Sequence, residues 1–386
     1  MLEFNKDVLG IEISGIRKFF NLIADKEDII SLTIGQPDFP TPAHIKESAK
    51  KAIDLEFTKY SHNAGFFDLR QAISKWMQDK YDLHYRPLDE ILVTAGSSEA
   101  LDITFRAILN PGDEVILPGP VYPGYEPLIK LSKAHPILID TRQNNFKLTP
   151  EMIDAVISDK TKAVVLPYPA NPTGTILSYD ELNQLAKYLD SKNIFIIADE
   201  LYSELVFSQK HYSIANFGNL RKKTIIITGI SKSHSMTGWR IGVLLAPDYI
   251  TKHIIKVHQY NVTCASSISQ RAALEAFSNG YTDPLPMRDA YRRRLNKAYL
   301  GLLKMGFKVG EPQGTFYIFP KITQSDLSSL ELALDLVEKA KVAVIPGSAF
   351  SSLGEGYLRL SCACSDKILD EGLLRMKKYF KEIKVD

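Results

Sequence analysis

The chain has 386 residues, 45% hydrophobic and 24% charged, with 22 Gly and 20 Pro; that is the balance of an ordinary globular protein of two or three domain-sized units. Lys and Arg number 47 against 45 Asp and Glu, a net charge of +2, which excludes the basic footprint of a nucleic-acid binder. The N-terminal stretch MLEFNKDVLGIEISGIRKFF has no apolar core after a basic start, so a signal peptide is not expected, and no apolar run is long enough for a bilayer.

From residue 91 onward, apolar runs alternate with helical stretches. Ile91–Thr94 (ILVT) precedes a helical pattern starting near Ser98. Val115–Leu117 (VIL) and Ala163–Leu166 (AVVL) each lead into a Pro-rich turn. Asn193–Ala198 (NIFIIA) follows the helical ELNQLAKYLDSK, and Thr224–Thr228 (TIIIT) and Ile241–Ala246 (IGVLLA) complete the series. Continuous β-branched runs between helices indicate strands buried on both faces, hence an α/β fold with a mainly parallel sheet. Near Pro284 the texture changes. A long basic helix (MRDAYRRRLNKAYLGLLKMG) leads to short strands around TFYIFP, VAVIP and YLRLSCA, with a helix between them and another at the end. This predicts a smaller α+β unit against which the first forty or so residues pack. The division expected is 1–43, 44–284 and 285–386. The Tyr and Leu spacing of the basic helix marks an amphipathic helix with solvated charge, not a nucleic-acid arm.

The three cysteines are Cys264, Cys362 and Cys364. An odd count without framework spacing suits a reducing compartment, and a cytoplasmic location is expected. Cys362 and Cys364 share a strand face without a histidine cluster, so they read as small buried hydrophobes. No metal site is expected.

In an open α/β sheet, ligands bind beyond the carboxyl ends of the strands. After ILVT comes Ala95-Gly96-Ser97-Ser98-Glu99, a small-residue turn opening a helix, where free N–H groups and the helix dipole favour a phosphate; Ser98 as a simple N-cap explains it equally well. After VIL, a Pro/Gly-rich loop holds Tyr122, suited either to stacking on a planar ligand or to packing. After AVVL, the turn Asn171-Pro172-Thr173-Gly174 fixes an amide. After NIFIIA comes Asp199, a carboxylate that is costly there unless it meets a cation. A protonated pyridine nitrogen would serve, with Tyr202 reaching the neighbouring ring hydroxyl; a salt bridge or helix cap competes. After TIIIT, Lys232 sits in a small, hydroxyl-rich segment with Arg240 eight residues on. A desolvated lysine near another cation becomes a nucleophilic amine, and a guanidinium holds phosphate well. Singly, each residue has an ordinary structural explanation. Together, five strand ends assemble the requirements of a phosphorylated aromatic aldehyde.

At these residues the chain resembles the class I (fold type I) PLP-dependent aminotransferases over nearly its whole length. Asn171-Pro172-Thr173-Gly174 matches the family's NPTG, and Asp199-Glu200-Leu201-Tyr202 its D-x-x-Y. Ser231-Lys232 through Met236-Thr237-Gly238-Trp239-Arg240-Ile241-Gly242 matches SK…MTGWRIG, and Tyr357–Ser361 the late arginine strand. The resemblance implies a large domain around a mainly parallel seven-stranded sheet, a small α+β domain, and pyridoxal 5′-phosphate as cofactor. It implies that Lys232 forms the Schiff base and moves the proton, and that Asp199 keeps the pyridine nitrogen protonated. Tyr202 and Asn171 would bond the ring oxygen and Tyr122 would stack. Gly96, Ser97, Ser98 and Arg240 would hold the phosphate, with Ser231 a further candidate. Arg359 would clamp the substrate α-carboxylate, helped by Asn171 and the backbone at Gly35; strand alternation sends Arg359 to the face opposite Leu358 and Leu360, which suits either a cleft or a buried structural pair. Tyr60, in KYSHNAG, resembles the tyrosine that crosses to a neighbouring subunit's phosphate, implying a homodimer. Gly229 departs from the serine that many relatives carry three residues before the lysine.

The expected reaction is ping-pong transamination between an amino acid and a 2-oxo acid, with glutamate/2-oxoglutarate as one pair. EISGIRKF, VVLPYPANPTG, SKSHSMTGWRIG and KVHQYNVTCASSISQ resemble a Bacillus-type subgroup assigned to N-acetyl-LL-2,6-diaminopimelate in lysine biosynthesis. A broad aspartate/aromatic range is the other substrate expectation. The same apparatus also serves C–S β-lyases and related PLP chemistry. A PLP-sensing regulator is disfavoured, since no helix-turn-helix segment or basic excess accompanies the motifs.

Overall fold

The first strand, β1, is Ile30–Ser31. It is followed by β2 (Ile91–Thr94), β3 (Glu114–Gly119), β4 (His135–Asp140), β5 (Thr161–Leu166), β6 (Phe195–Asp199), β7 (Thr224–Thr228) and β8 (Gly242–Leu245). Beyond them lie β9 (Tyr317–Ile318), β10 (Val342–Ala343), β11 (Ile345–Pro346) and β12 (Leu358–Ser361). The computed structural model describes residues 2–382; the outermost residues of the expected division, 1 and 383–386, lie outside the described residues.

β2 to β8 form one sheet in the order β2-β8-β7-β6-β5-β3-β4. The pairs among β3, β4, β5, β6 and β7 are parallel, and β8 runs antiparallel to both β2 and β7. Alternate residues feed two cores. Ile91, Val93, Val164, Ile196, Ile226 and Val243 face one apolar layer, while Leu92, Ala163, Val165, Ile197, Ile225 and Leu244 face the other. Burial on both faces is why these strands read as unbroken β-branched runs. β4 was not among the strands read from the sequence. It lies at the sheet edge, is half exposed along most of its length and contains Pro136, so neither strand pattern is present in it.

Topology fixes where the chemistry collects. β2, β5, β6 and β7 end at one sheet edge. Because β8 runs the other way, the residues preceding it, Arg240 and Ile241, lie at that same edge.

The ends of the chain build the second unit. β1 pairs in parallel with β10, Ile30 against Val342, and β11, β12 and β9 form an antiparallel sheet. One apolar cluster joins Phe19 and Leu32 to Leu295, Phe307, Leu358 and Phe380. Cys362 and Cys364 are buried there and unpaired; burial pushes the Cys362 thiol well up and Cys364 to about 11. Among the described residues no helix is long and apolar enough to cross a membrane.

Candidate active site

A cleft of about 290 Å³ lies over the sheet edge and is closed on its far side by residues of the second unit. At the end of β2 the chain turns through Gly96 (φ +86°) into the helix Ser97–Ile108. Gly96, not Ser98, therefore holds the N-cap position, and Ser97 and Ser98 both line the cleft. Glycine is required there twice over. Its φ lies where a β-carbon is strained, and that β-carbon would stand 2.4 Å from Arg240 Nη2. The Arg240 guanidinium thus rests against the turn, Nη1 donating to the Thr237 carbonyl at 2.8 Å. Arg240 itself adopts φ +55°, a conformation that a non-glycine residue holds only under surrounding constraint.

Tyr122 lines the cleft, and its ring meets that of Tyr125 edge-on at 5.5 Å. Burial pushes the Tyr125 phenol well above its ordinary range, so it stays protonated, and its O–H donates to Asp199 Oδ2 at 2.6 Å. Desolvation raises the Asp199 pKa, while the Tyr125 hydroxyl, the Leu201 N–H and Lys232 pull against it.

Across the cleft, Arg359 is buried on β12. Its Nη1 donates to Asn171 Oδ1 at 3.1 Å and its Nη2 to the Thr33 carbonyl at 2.7 Å. Its Nε has no partner among the described residues. The guanidinium lies 4.3 Å above the Tyr317 ring, and the Tyr317 and Tyr202 hydroxyls are 3.2 Å apart.

Lys232 sits between these groups, Nζ donating to the Gly35 carbonyl at 2.7 Å. Its pKa falls to about 8, first through burial, then through Arg359 and Arg240, with Asp199 opposing. Ser231 also lines the cleft. At position 229 a β-carbon would come within 3.2 Å of the Ile241 carbonyl, which leaves little room for a serine.

Of the thirteen expected site residues, eleven line one cleft and Gly96 abuts it against Arg240. Tyr60 does neither. It is 84% exposed and borders a separate groove with Cys264–Ile268. Sequence reasoning missed Tyr125, Tyr317 and Thr33. Tyr125 stands three residues after Tyr122, a spacing that signals a shared face once a helical turn is recognised there. Thr33 contributes a carbonyl, which carries no residue signature.

Residues 27–375 match the family model of aminotransferase class I and II. The chain belongs to that family. It is 56% identical over 375 residues to the probable N-acetyl-LL-diaminopimelate aminotransferase of Bacillus subtilis, covering 97% of this chain and 95% of that one. It is 38% identical to the aspartate aminotransferase of Pyrococcus abyssi, covering 96% and 97%. Among solved structures it superposes on Thermus thermophilus aspartate aminotransferase with maleate at a TM-score of 0.92, with 32% identity and coverage of 98% and 100%. The chain is an aminotransferase, of fold type I, and its cofactor is pyridoxal phosphate. The residues fit that group. The Gly96 turn and Arg240 form an anion cradle with no β-carbon in the way, Asp199 brings a buried carboxylate to the cleft wall, and the Lys232 pKa is lowered to about 8.

That last property has a measurable consequence. The neutral amine is the nucleophile, and its fraction grows as pH rises through about 8. Uptake of pyridoxal phosphate by the cofactor-free protein is therefore expected to accelerate with pH and level off above that value. Stopped-flow absorbance across a pH series checks it; a rate still climbing toward pH 10 would return Lys232 to an ordinary surface lysine.

Proposed function

We propose that the protein transfers an amino group between an amino acid and a 2-oxo acid by a ping-pong mechanism, with glutamate as one partner and N-acetyl-LL-2,6-diaminopimelate as the other substrate. The observation that carries this reading is the 2.7 Å contact of a depressed-pKa Lys232 in the cleft that also holds Asp199, Arg240 and Arg359. The 56%-identical relative supports the substrate. So does an apolar wall of Ile16, Phe20 and Leu101 along the cleft, which suits a methylene-rich side chain.

When bound, the cofactor supplies an electron-withdrawing heterocycle that takes up the pair left when the substrate Cα–H bond breaks. The remaining work falls to this chain. Gly96, Ser97, Ser98 and Arg240, with Ser231, hold the phosphate by N–H, hydroxyl and guanidinium donors. Tyr122 stacks on the ring. Asp199, fixed by Tyr125, holds the proton on the ring nitrogen, and Tyr202 and Asn171 donate to the ring oxygen. Lys232 would hold the aldehyde carbon until the substrate's amino group displaces it, and the freed amine would then take the proton from the substrate Cα and deliver it to the cofactor's C4′. Arg359 clamps the α-carboxylate with donors that include its Nε, which has no partner among the described residues, and Gly35 lies beside it.

We assign the working parts as 44–284 for the cofactor-binding domain and 1–43 with 285–386 for the smaller one, which β1–β10 pairing supports. We also propose a homodimer in which Tyr60 reaches the neighbouring phosphate, in keeping with its exposure. Three unpaired cysteines favour a cytoplasmic setting.

Arg359→Ala is expected to weaken substrate α-carboxylate binding roughly 10- to 100-fold, the worth of charge-assisted hydrogen bonds, while pyridoxal phosphate stays bound. Cofactor loss instead would give Arg359 a structural role. The reading as a whole is tested by offering purified holoenzyme a panel of amino acids and following conversion to the pyridoxamine form. Conversion by glutamate and by N-acetyl-LL-2,6-diaminopimelate is expected. Release of pyruvate and ammonia from cysteine conjugates with no 2-oxo acid present would replace transamination by β-elimination.

A further inference from the structure

His258, in the helix Asp248–Asn261, is fully buried and takes no part in the chemistry above. Both of its ring nitrogens are engaged. Nδ1 lies 2.7 Å from Glu99 Oε1, and Nε2 lies 2.9 Å from the Asn63 carbonyl oxygen. Glu99 is buried as well, and its other oxygen accepts the Ala95 N–H. Ala95 and Glu99 bracket Gly96, Ser97 and Ser98. Asn63 closes the segment that presents Tyr60: its amide donates to the Thr263 carbonyl at 2.8 Å, and the adjacent Ala64 carbonyl accepts the Val93 N–H at 3.0 Å.

A helix opening at Ser97 needs a cap, but Gly96 has no side chain to provide one. No side chain caps it, and Glu99 instead folds back to the Ala95 N–H just before the turn, bracing it without taking up the Ser97 and Ser98 N–H groups. Nothing in that task requires a buried imidazole behind the carboxylate, where desolvation is costly. What the imidazole adds is reach: one side chain bonds the turn on one side and the Tyr60 segment on the other.

We propose that His258 and Glu99 are positioning residues that lock together two phosphate-binding segments, the Gly96–Ser98 turn of one active site and the Tyr60 loop lent to the neighbouring subunit. The second half rests on the dimer reading above. Neither residue touches the cofactor, and both act on the end of it that carries the phosphate.

Two substitutions separate the halves. An asparagine amide falls near the Nδ1 position, so His258→Asn keeps the bond to Glu99 and gives up Asn63. A glutamine amide falls near Nε2, so His258→Gln keeps Asn63 and gives up Glu99. Cofactor-free protein is titrated with pyridoxal phosphate and, separately, with pyridoxal, which lacks the phosphate; thermal unfolding reports integrity. Each variant is expected to bind pyridoxal phosphate about 3- to 10-fold more weakly, the effect of one hydrogen bond, and pyridoxal as wild type does. With Tyr60→Phe added, the His258→Gln loss persists while the His258→Asn loss disappears. Glu99→Ala should match His258→Gln, and Glu99→Gln, which still accepts the Ala95 N–H, should recover most of the affinity; this pair decides the matter if the histidine variants fold poorly. Wild-type affinity throughout, or equal losses for pyridoxal and its phosphate, would overturn the proposal. Should Tyr60→Phe alone leave affinity unchanged, the dimer reading and the loop half fall together, and His258→Gln still decides the turn half.

Discussion

A Lys232→Ala protein is expected to keep its fold, to leave no cofactor attached after borohydride reduction, and to transaminate on the order of 10⁴-fold more slowly, the upper range for a positioned acid–base group. The fold should survive because the amine makes one hydrogen bond, to the Gly35 carbonyl, and removing it relieves a cation from desolvation and from Arg359 and Arg240. Catalysis should not survive, because among the described residues no other amine lines the cleft: its remaining cations there are two guanidiniums, which stay protonated and cannot form the bond. Mass spectrometry of the reduced protein and single-turnover absorbance check the two halves. An adduct that persists in the variant would assign the attachment to another residue.

Asp199→Asn should cost about 10²–10³-fold in the rate of the half-reaction, comparable to losing one preorganised electrostatic partner. The substitution preserves shape but not charge. An amide opposite the ring nitrogen cannot favour its protonated form, so the heterocycle loses its pull on the substrate's electron pair. Tyr125 sharpens the expectation, since its O–H already donates to Asp199 Oδ2 and a neutral amide oxygen is a weaker acceptor. The measurement is the rate of conversion by glutamate in single turnovers, with the cofactor's bound absorbance followed against pH. An unchanged rate would mean that Asp199 holds Tyr125 in place and nothing more.

Much of this was legible in the chain because buried strands advertise themselves. Ile91–Thr94 and Thr224–Thr228 were bounded correctly from their apolar runs, and the residues following them could be read as a site before any pairing was known. Reading failed where the signal was weak or lay between distant segments. His135–Asp140 hid because an edge strand carries neither continuous nor alternating burial. Tyr317 was seen only as part of a short strand; its role emerges from register, Tyr317 against Ser361 and Ile345 against Arg359, which no local pattern encodes. Tyr60 was legible only by resemblance, and a single chain leaves it on the surface.

The pairing of β1 with β10 joins Ile30 to Val342, and it bears on biosynthesis. A ribosome emits the strands of the central sheet in sequence, so they can associate while translation continues. The opening segment must wait, with Phe19 and Leu32 unsheltered, until their cluster partners from Leu295 onward emerge. High contact order of this kind slows closure, and it makes the nascent amino-terminal segment the natural client of a chaperone.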